Sequence, residues 1–97
     1  MTRTPRPQAD VPDVRLGTRA AKELRKLDPQ IRRRILAGLE ELGADEAADI
    51  KSLVGHPGWL RMRVGEHRVI YRQEDDGAYL VARVVNRREL NRAVDAL

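Results

Sequence analysis

Between residues 59 and 72, apolar and basic side chains alternate on both sides of a Gly-Glu dipeptide, in the sequence WLRMRVGEHRVIYR. A period of two predicts β-strands, and a two-residue loop that begins with glycine predicts a hairpin with a type II′ turn at Gly65 and Glu66. Counting outward from this turn places Arg63 directly opposite Arg68. One face of the hairpin is then apolar. The other face, called the arginine face below, carries Arg61, Arg63, Arg68 and Arg72 together with Trp59 and Ile70.

The arginine face is unexpected in a sequence that only has to fold. Like charges placed directly opposite each other, as Arg63 and Arg68 would be, oppose strand pairing by roughly a few tenths of a kcal/mol. Planar guanidinium groups bind phosphate through two parallel hydrogen bonds, so a phosphate ligand would explain the arrangement. The alternative is a solvated face whose charges block aggregation at the sheet edge.

A second turn signal, Asp-Gly at residues 76–77, separates two further alternating runs. With this dipeptide at the tip of a hairpin, Arg72 pairs with Val81 and Ile70 pairs with Arg83. Arg83 then lies on the arginine face. Because the two hairpins are counted independently and agree on which side is basic, the sequence predicts a three-stranded meander.

Upstream of the meander, the pattern predicts a short strand within residues 11–17 and two helices. Thr18 stands where an N-cap belongs, and apolar residues at helical spacing follow it. Asp28 and Pro29 are typical of the N-cap and first residue of a second helix, which ends at Gly43. Two helices with so short a connection form a helical hairpin.

The remaining segments complete the prediction. Residues 1–12 are rich in proline and nearly free of apolar side chains, which is typical of a disordered tail, and residues 13–97 form a single domain. Residues 44–53 predict a helical turn that runs into a loop, and residues 87–97 predict a short C-terminal helix. The fold class is therefore α+β, with about four strands, helices on one face of the sheet, and an open basic face.

Composition narrows the function classes. The 97 residues carry a net charge of +4, and the pI is about 10.1, so a nucleic acid or an acidic protein is the expected partner. The absence of cysteine excludes disulfides, thiolate catalysis and cysteine-ligated zinc. With two histidines and no carboxylates clustered around them, we expect neither a metal nor another cofactor. No signal peptide or apolar stretch of ~20 residues is present, so we expect a cytoplasmic protein.

The segments AAKELRKLDP, GWLRMRVGEHRVIYR and VVNRREL, in this order, resemble the RelE/ParE superfamily of toxins from bacterial toxin–antitoxin pairs. The resemblance covers residues 14–93, and the block at residues 59–72 is its most specific part. A RelE-type member is implied to be a ribosome-dependent endoribonuclease, or mRNA interferase, that cuts messenger RNA in the ribosomal A site. A ParE-type member is implied to poison DNA gyrase without cutting RNA. Both imply a partner antitoxin protein that silences the toxin.

The resemblance also implies roles for four arginines. Arg68 matches the arginine that RelE-like toxins use on the scissile phosphate. Arg61 and Arg63 lie on the strand where nuclease members carry lysines or arginines. Either Arg87 or Arg88 matches the arginine near the C-terminus, because the register there is uncertain by one residue.

Nuclease members often carry a histidine and a tyrosine near the C-terminus, and this chain departs from that pattern. The histidine position is Asn86, and the tyrosine position is Asn91 or Val94, depending on the register. When the 2′-hydroxyl of RNA attacks the adjacent phosphate, the reaction needs a general base and a general acid, and such catalysis typically raises the rate by roughly 10²–10⁴-fold. Arginine cannot act as the base, because it stays protonated. Proton transfer is left to the ribosome, to the substrate, or to one of four side chains: Glu66, Lys51, His56 and His67.

A second set of residues, which includes two of the candidates for proton transfer, is predicted to contact the nucleic acid. Aromatic rings stack on bases, and flexible or planar cations bind the RNA backbone. These candidates are Trp59, Arg72, Arg83, Lys51 and His56. His67 is expected on the apolar face beside Val64, where a packed histidine is the simpler interpretation. Three hypotheses therefore remain: a ribosome-dependent nuclease, a gyrase-inhibiting toxin, and a degenerate toxin that only binds its antitoxin or a nucleic acid.

Overall fold

The structure is a computed structural model that describes residues 13–97; the tail predicted for residues 1–12 lies outside this part. The elements are β1 (Val14–Leu16), α1 (Thr18–Arg25), α2 (Pro29–Gly43), β2 (Ile50–Ser52), β3 (Trp59–Val64), β4 (His67–Gln73), β5 (Tyr79–Asn86) and α3 (Leu90–Asp95), with a 3-10 turn at Arg87–Glu89 before α3. None of the helices in residues 13–97 has the length and apolar character needed to cross a membrane.

The sheet has five strands in the order β1-β5-β4-β3-β2, with β1 parallel to β5 and every other pair antiparallel. The α+β class and the predicted meander of β3, β4 and β5 are confirmed. The first hairpin has the predicted register, with Arg63 opposite Arg68. Gly65 has a φ of 58°, as the first central residue of a type II′ turn requires.

The helical turn predicted for residues 44–53 is only partly present, because Ile50–Ser52 forms the strand β2. Asp45 and Asp49 both adopt left-handed backbone conformations, with φ values of 59° and 58°, which end the helical path and redirect the chain. β2 pairs with β3 and so covers an edge that a four-stranded sheet would leave open. The sheet therefore has five strands rather than about four.

The first helix begins at Thr18, and its N-cap is Gly17 rather than Thr18. The Gly17 N–H donates a hydrogen bond to the Val81 carbonyl oxygen at 2.8 Å. A Cβ atom on Gly17 would lie 3.2 Å from that same oxygen, so this close approach to β5 favours glycine. The predicted N-cap Asp28, the first helical residue Pro29 and the end of α2 at Gly43 are confirmed.

The second hairpin differs from its predicted register near the turn. Ile70 lies opposite Arg83 as predicted, but an irregularity between Ile70 and Tyr71 then shifts the pairing by one residue. Arg72 consequently lies opposite Leu80 instead of Val81, and Val81 lies opposite Tyr71 and is completely buried. A β-bulge adds a residue to one strand only, and an alternating sequence pattern does not reveal it.

The helical hairpin covers one face of the sheet, as predicted. The core between these layers is aliphatic apart from one tyrosine. Its buried members are Ala20, Leu24, Ile35, Leu39, Leu42, Met62, Val69, Tyr71, Val81 and Val84.

The arginine face is not fully open, because α3 packs on its centre. Ile70 and Val85 lie on this face, and Ala93 of α3 is buried against them. Leu90 and Val94 of α3 are partly buried around the same cluster. Ile70 and Val85 are apolar, so covering them removes apolar surface from water, and the arginines are left around the edge of the helix.

Glu23 on α1 closes the part of the β5 edge that β1 does not reach. Its Oε1 atom accepts a hydrogen bond from the Val84 N–H at 2.8 Å, and its Oε2 atom accepts from Nε and Nη2 of Arg83 at 3.0 and 2.8 Å. The Arg83 side chain is only 15% exposed. A carboxylate thus satisfies one strand N–H group and one largely buried cation.

Replacing Glu23 with alanine is expected to lower the free energy of unfolding by about 1–3 kcal/mol, because the Val84 N–H and Arg83 lose their acceptor. Urea denaturation followed by circular dichroism measures the change. Glu40→Ala on the exposed side of α2 is the control, with an expected change within about 0.5 kcal/mol. Equal effects of the two substitutions would contradict the role of Glu23 at the β5 edge.

Candidate functional site

Arginines from three segments of the chain meet at the end of the sheet that carries the Gly65 turn. Arg63 of β3 and Arg68 of β4 are directly opposite each other, and Arg61 lies two residues before Arg63 on the same face. Arg87 joins them because His67 and Asn86 pair across β4 and β5, and the Arg87 N–H donates to the Glu66 carbonyl oxygen at 2.8 Å. This group, Arg61, Arg63, Arg68 and Arg87, is called the arginine cluster below.

Arg68, which like Arg61 is partly buried, is oriented by backbone atoms. Its Nη1 atom donates to the carbonyl oxygens of Gly65 at 3.2 Å and of His67 at 3.0 Å. Burial lowers the pKa of Arg68, and the positive charges of Arg61 and Arg63 lower it further. Arginine nevertheless stays protonated at neutral pH. Arg68 forms no salt bridge with any carboxylate of residues 13–97, so its charge is available to an external anion.

Asp49 lies directly before β2 and contacts two arginines of the cluster. Nη1 of Arg61 lies 3.2 Å from the Asp49 carbonyl oxygen and 3.4 Å from Oδ1, and Nη1 of Arg63 lies 3.7 Å from Oδ2. No sequence pattern points to Asp49 as part of a site. Its only local signal is that aspartate tolerates the left-handed conformation that Asp49 adopts, and this signal says nothing about a site.

Glu66 occupies the turn beside Arg68 and is bound by the C-terminal part of the cluster. Nε of Arg87 lies 2.7 Å from Oε1 of Glu66, and both side chains are more than half exposed. The structure thus brings the predicted residues Arg68, Glu66 and Arg87 together. Because Glu66 and Arg87 are both exposed, the contact contributes little to stability.

The last residue of β5 and the positions after it hold structural rather than proton-transferring side chains. Oδ1 of Asn86 accepts a hydrogen bond from the Arg88 N–H at 3.0 Å, which caps the 3-10 turn. The Arg88 side chain is exposed, as is Asn91 on α3. Val94 packs beside the apolar cluster under α3. Asparagine and valine do not exchange protons near neutral pH.

Trp59 and Arg72 lie at the other end of the arginine face, opposite each other on β3 and β4. The Arg72 Cζ atom is 5.2 Å from the centroid of the Trp59 ring, and Arg72 Nε lies 3.1 Å from Oε2 of Glu74. Arg63 lies four residues along the strand from Trp59, which is roughly 13 Å. His56 is also at the Trp59 end, where its carbonyl oxygen accepts the Trp59 N–H at 3.1 Å. These residues are not part of the arginine cluster.

The other candidates fall into three different environments. Lys51 of β2 lies opposite Arg61 and is exposed, so it extends the basic surface toward the sheet edge. Arg83 is held by Glu23. His67 lines a cavity of about 100 Å³ against α2, together with Arg34 and Glu66. Among residues 13–97, no three His, Cys, Asp or Glu side chains are grouped as a metal would require.

The chain is similar in sequence and in fold to known toxins of toxin–antitoxin systems. The model of a family described as "ParE toxin of type II toxin-antitoxin system, parDE" matches residues 14–91. A chain of the toxin–antitoxin complex RelBE2 from Mycobacterium tuberculosis is 26% identical, with a TM-score of 0.70 over 78% of this chain and 98% of that chain. A chain of the archaeal RelE–RelB complex from Pyrococcus horikoshii is 25% identical, with a TM-score of 0.68 over 79% of this chain and 96% of that chain.

The isolated RelE toxin of E. coli is 22% identical, with a TM-score of 0.63 over 84% of this chain and 97% of that chain. At this identity the likeness concerns the fold alone. No curated protein sequence matches the chain.

Proposed function

The chain belongs to the ParE toxin family and is a toxin of a type II toxin–antitoxin system, and we propose that its activity is ribosome-dependent cleavage of messenger RNA. The observation that carries this proposal is Arg68. Arg68 is partly buried, and the carbonyl oxygens of Gly65 and His67 orient its guanidinium. Further arginines flank it, and it forms no salt bridge with a carboxylate in residues 13–97. Such preorganised donors stabilise charge that develops on a phosphate in the transition state.

In the proposed reaction, the 2′-oxygen of the RNA attacks the adjacent phosphorus and forms a cyclic phosphate, and the bond from phosphorus to the 5′-oxygen breaks. Negative charge grows on the non-bridging oxygens as the new bond forms. Arg68 donates hydrogen bonds to these oxygens, and Arg61 and Arg63 add positive potential around them. Arg87 or Arg88 reaches the phosphate from the C-terminal side.

The proton of the 2′-hydroxyl must pass to another group, because arginine is a poor base. Asn86 and Asn91 stand where nuclease members often carry titratable side chains, and neither can accept a proton. Glu66, which lies in the turn beside Arg68, or groups of the ribosome and substrate therefore transfer the protons. Dependence on the ribosome follows naturally from a protein that supplies charge stabilisation but little acid–base chemistry.

The proposed partners of this toxin are an antitoxin protein and the translating ribosome, in the cytoplasm. The relatives from M. tuberculosis and P. horikoshii are toxin–antitoxin complexes, which supports an antitoxin partner here. An acidic antitoxin segment that covers the arginine cluster would block access of messenger RNA by charge and by volume.

Cell-free translation with the purified protein tests the proposed activity, with message ends mapped by primer extension. We expect cuts within codons only while ribosomes are translating, and intact RNA when ribosomes are omitted. Message that stays intact during translation would contradict the proposal.

Inhibition of DNA gyrase is the second candidate function. The family model is that of ParE toxins, and the C-terminal positions Asn86 and Asn91 lack titratable side chains. In this case purified gyrase loses supercoiling activity when the protein is added, and translated message remains intact. A protein that leaves both gyrase and message unaffected while binding its antitoxin would be a degenerate toxin.

A further inference from the structure

The arginine cluster already contains an anion of its own, the carboxylate of Asp49. The Oδ1 atom faces Arg61 at 3.4 Å, and the Oδ2 atom faces Arg63 at 3.7 Å. Two oxygens on one centre, each directed at a different guanidinium, reproduce the way a phosphate presents two of its oxygens. The pKa of Arg68 is lowered by burial and by the charges of Arg61 and Arg63, and the charges of Glu66 and then Asp49 offset only part of this lowering.

The contact is loose enough to be exchanged. A strong charge-assisted hydrogen bond has a donor–acceptor distance of about 2.7–2.9 Å, and both Asp49 contacts are longer. The side chains of Asp49 and Arg63 are 44% and 54% exposed, so water and ions reach this pair directly. Asp49 and Arg63 also line an open groove of about 310 Å³ between α2 and β3, which gives an incoming ligand a path to them.

The backbone of Asp49 is held independently of its carboxylate. Its carbonyl oxygen accepts hydrogen bonds from the Arg63 N–H at 3.1 Å and from Nη1 of Arg61 at 3.2 Å. The strand β2 begins at the next residue and pairs with β3. The carboxylate is therefore free to move away while the chain at Asp49 stays in place.

We propose that Asp49 is the resident anion of the phosphate site, a positioning residue that holds Arg61 and Arg63 in the free toxin and gives way to the phosphate of the RNA. The inference rests on the proposed function to the extent that the cluster binds phosphate. Because the carboxylate competes with every incoming anion, it weakens binding of phosphate to the isolated toxin. The RNA has to offer enough further contacts to displace it.

The test measures binding of a fluorescein-labelled RNA oligonucleotide whose 2′-hydroxyls are methylated, so that it cannot be cleaved, by anisotropy at fixed ionic strength. Asp49→Asn is expected to bind about 3- to 10-fold more tightly than the wild type, with the gain shrinking as salt is added. Asparagine tolerates the φ of 58° at this position. Inorganic phosphate is expected to compete with the RNA at correspondingly lower concentrations.

Asp76→Asn is the matched control, because it removes the same charge from a carboxylate that is also paired with an arginine, Arg15, at 2.7 Å. We expect its RNA affinity to rise by less than about 2-fold, since Asp76 lies in the loop between β4 and β5, away from the cluster. Asp49→Gly also accepts a positive φ and removes the carboxylate, which keeps the test valid if the asparagine variant is unstable. Unchanged or weaker RNA binding by both Asp49 variants would overturn the inference.

The result separates the inference from the proposed function. Tighter RNA and phosphate binding by Asp49→Asn in a protein that never cleaves translated message would uphold the resident anion and reject the nuclease. Cleavage by the wild type together with unchanged affinity of both Asp49 variants would uphold the nuclease and reject the resident anion.

Discussion

Replacing Arg68 with alanine is expected to lower ribosome-dependent cleavage of messenger RNA by about 10²–10³-fold, the cost of removing one preorganised donor from the transition state. The Arg68 guanidinium is oriented by backbone carbonyls and forms no salt bridge with a carboxylate of residues 13–97. Initial rates of cleavage in cell-free translation, measured by primer extension, give the effect. In cells, growth arrest on induction is expected to disappear.

The fold is expected to survive this substitution. Arg68 lies opposite another arginine, so its loss removes a repulsion as well as two hydrogen bonds to the carbonyl oxygens of Gly65 and His67, residues that are only partly buried. Arg15→Ala, an exposed arginine on β1 paired with Asp76, controls for the loss of one positive charge and is expected to keep cleavage within about 3-fold. Full cleavage by a folded Arg68→Ala protein would show that this arginine does not act on the phosphate.

Replacing Tyr71 with alanine is expected to lower the free energy of unfolding by about 3–5 kcal/mol, which is a large part of the 5–15 kcal/mol typical of a domain. The Tyr71 side chain is 2% exposed and lies on β4, the middle strand of the sheet. Its ring meets that of Tyr79 edge to face, with centroids 5.6 Å apart. Urea denaturation measures the change.

Tyr71→Phe is the control for the loss of the ring in Tyr71→Ala. It keeps the ring and is expected to change the free energy of unfolding much less. Burial raises the pKa of Tyr71 to about 12 from an ordinary value of 10.0. The unfolded chain therefore loses this proton first, and the stability that the neutral phenol contributes is present below pH 10 and lost as the pH rises toward 12. The phenylalanine variant is expected to lack this component. Equal stability of Tyr71→Ala and Tyr71→Phe would contradict the packing role of the ring.

The features of this protein that arise from neighbours in sequence follow from the sequence by itself. The turn at Gly65, the pairing of Arg63 with Arg68, the start of α2 at Asp28 and Pro29, and the burial of Tyr71 all depend on local periodicity and on residues with restricted backbone angles. The three members of the arginine cluster on the first hairpin, Arg61, Arg63 and Arg68, were predictable to the same extent, because cross-strand pairs in a hairpin are obtained by counting from its turn. The position of Arg87 beside them depends on the pairing of β5 with β4.

Tertiary structure alone decided the features that join distant segments. β2 forms because the β3 edge needs a partner, and the bulge beside Ile70 buries Val81, although neither is visible in the local pattern. α3 crosses the arginine face because Ile70 and Val85 need cover there. The carboxylates that pair with these arginines are distant in sequence: Glu23 pairs with Arg83, and Asp49 pairs with Arg61 and Arg63. An ion pair depends on three-dimensional proximity, so it leaves no periodic pattern in the sequence.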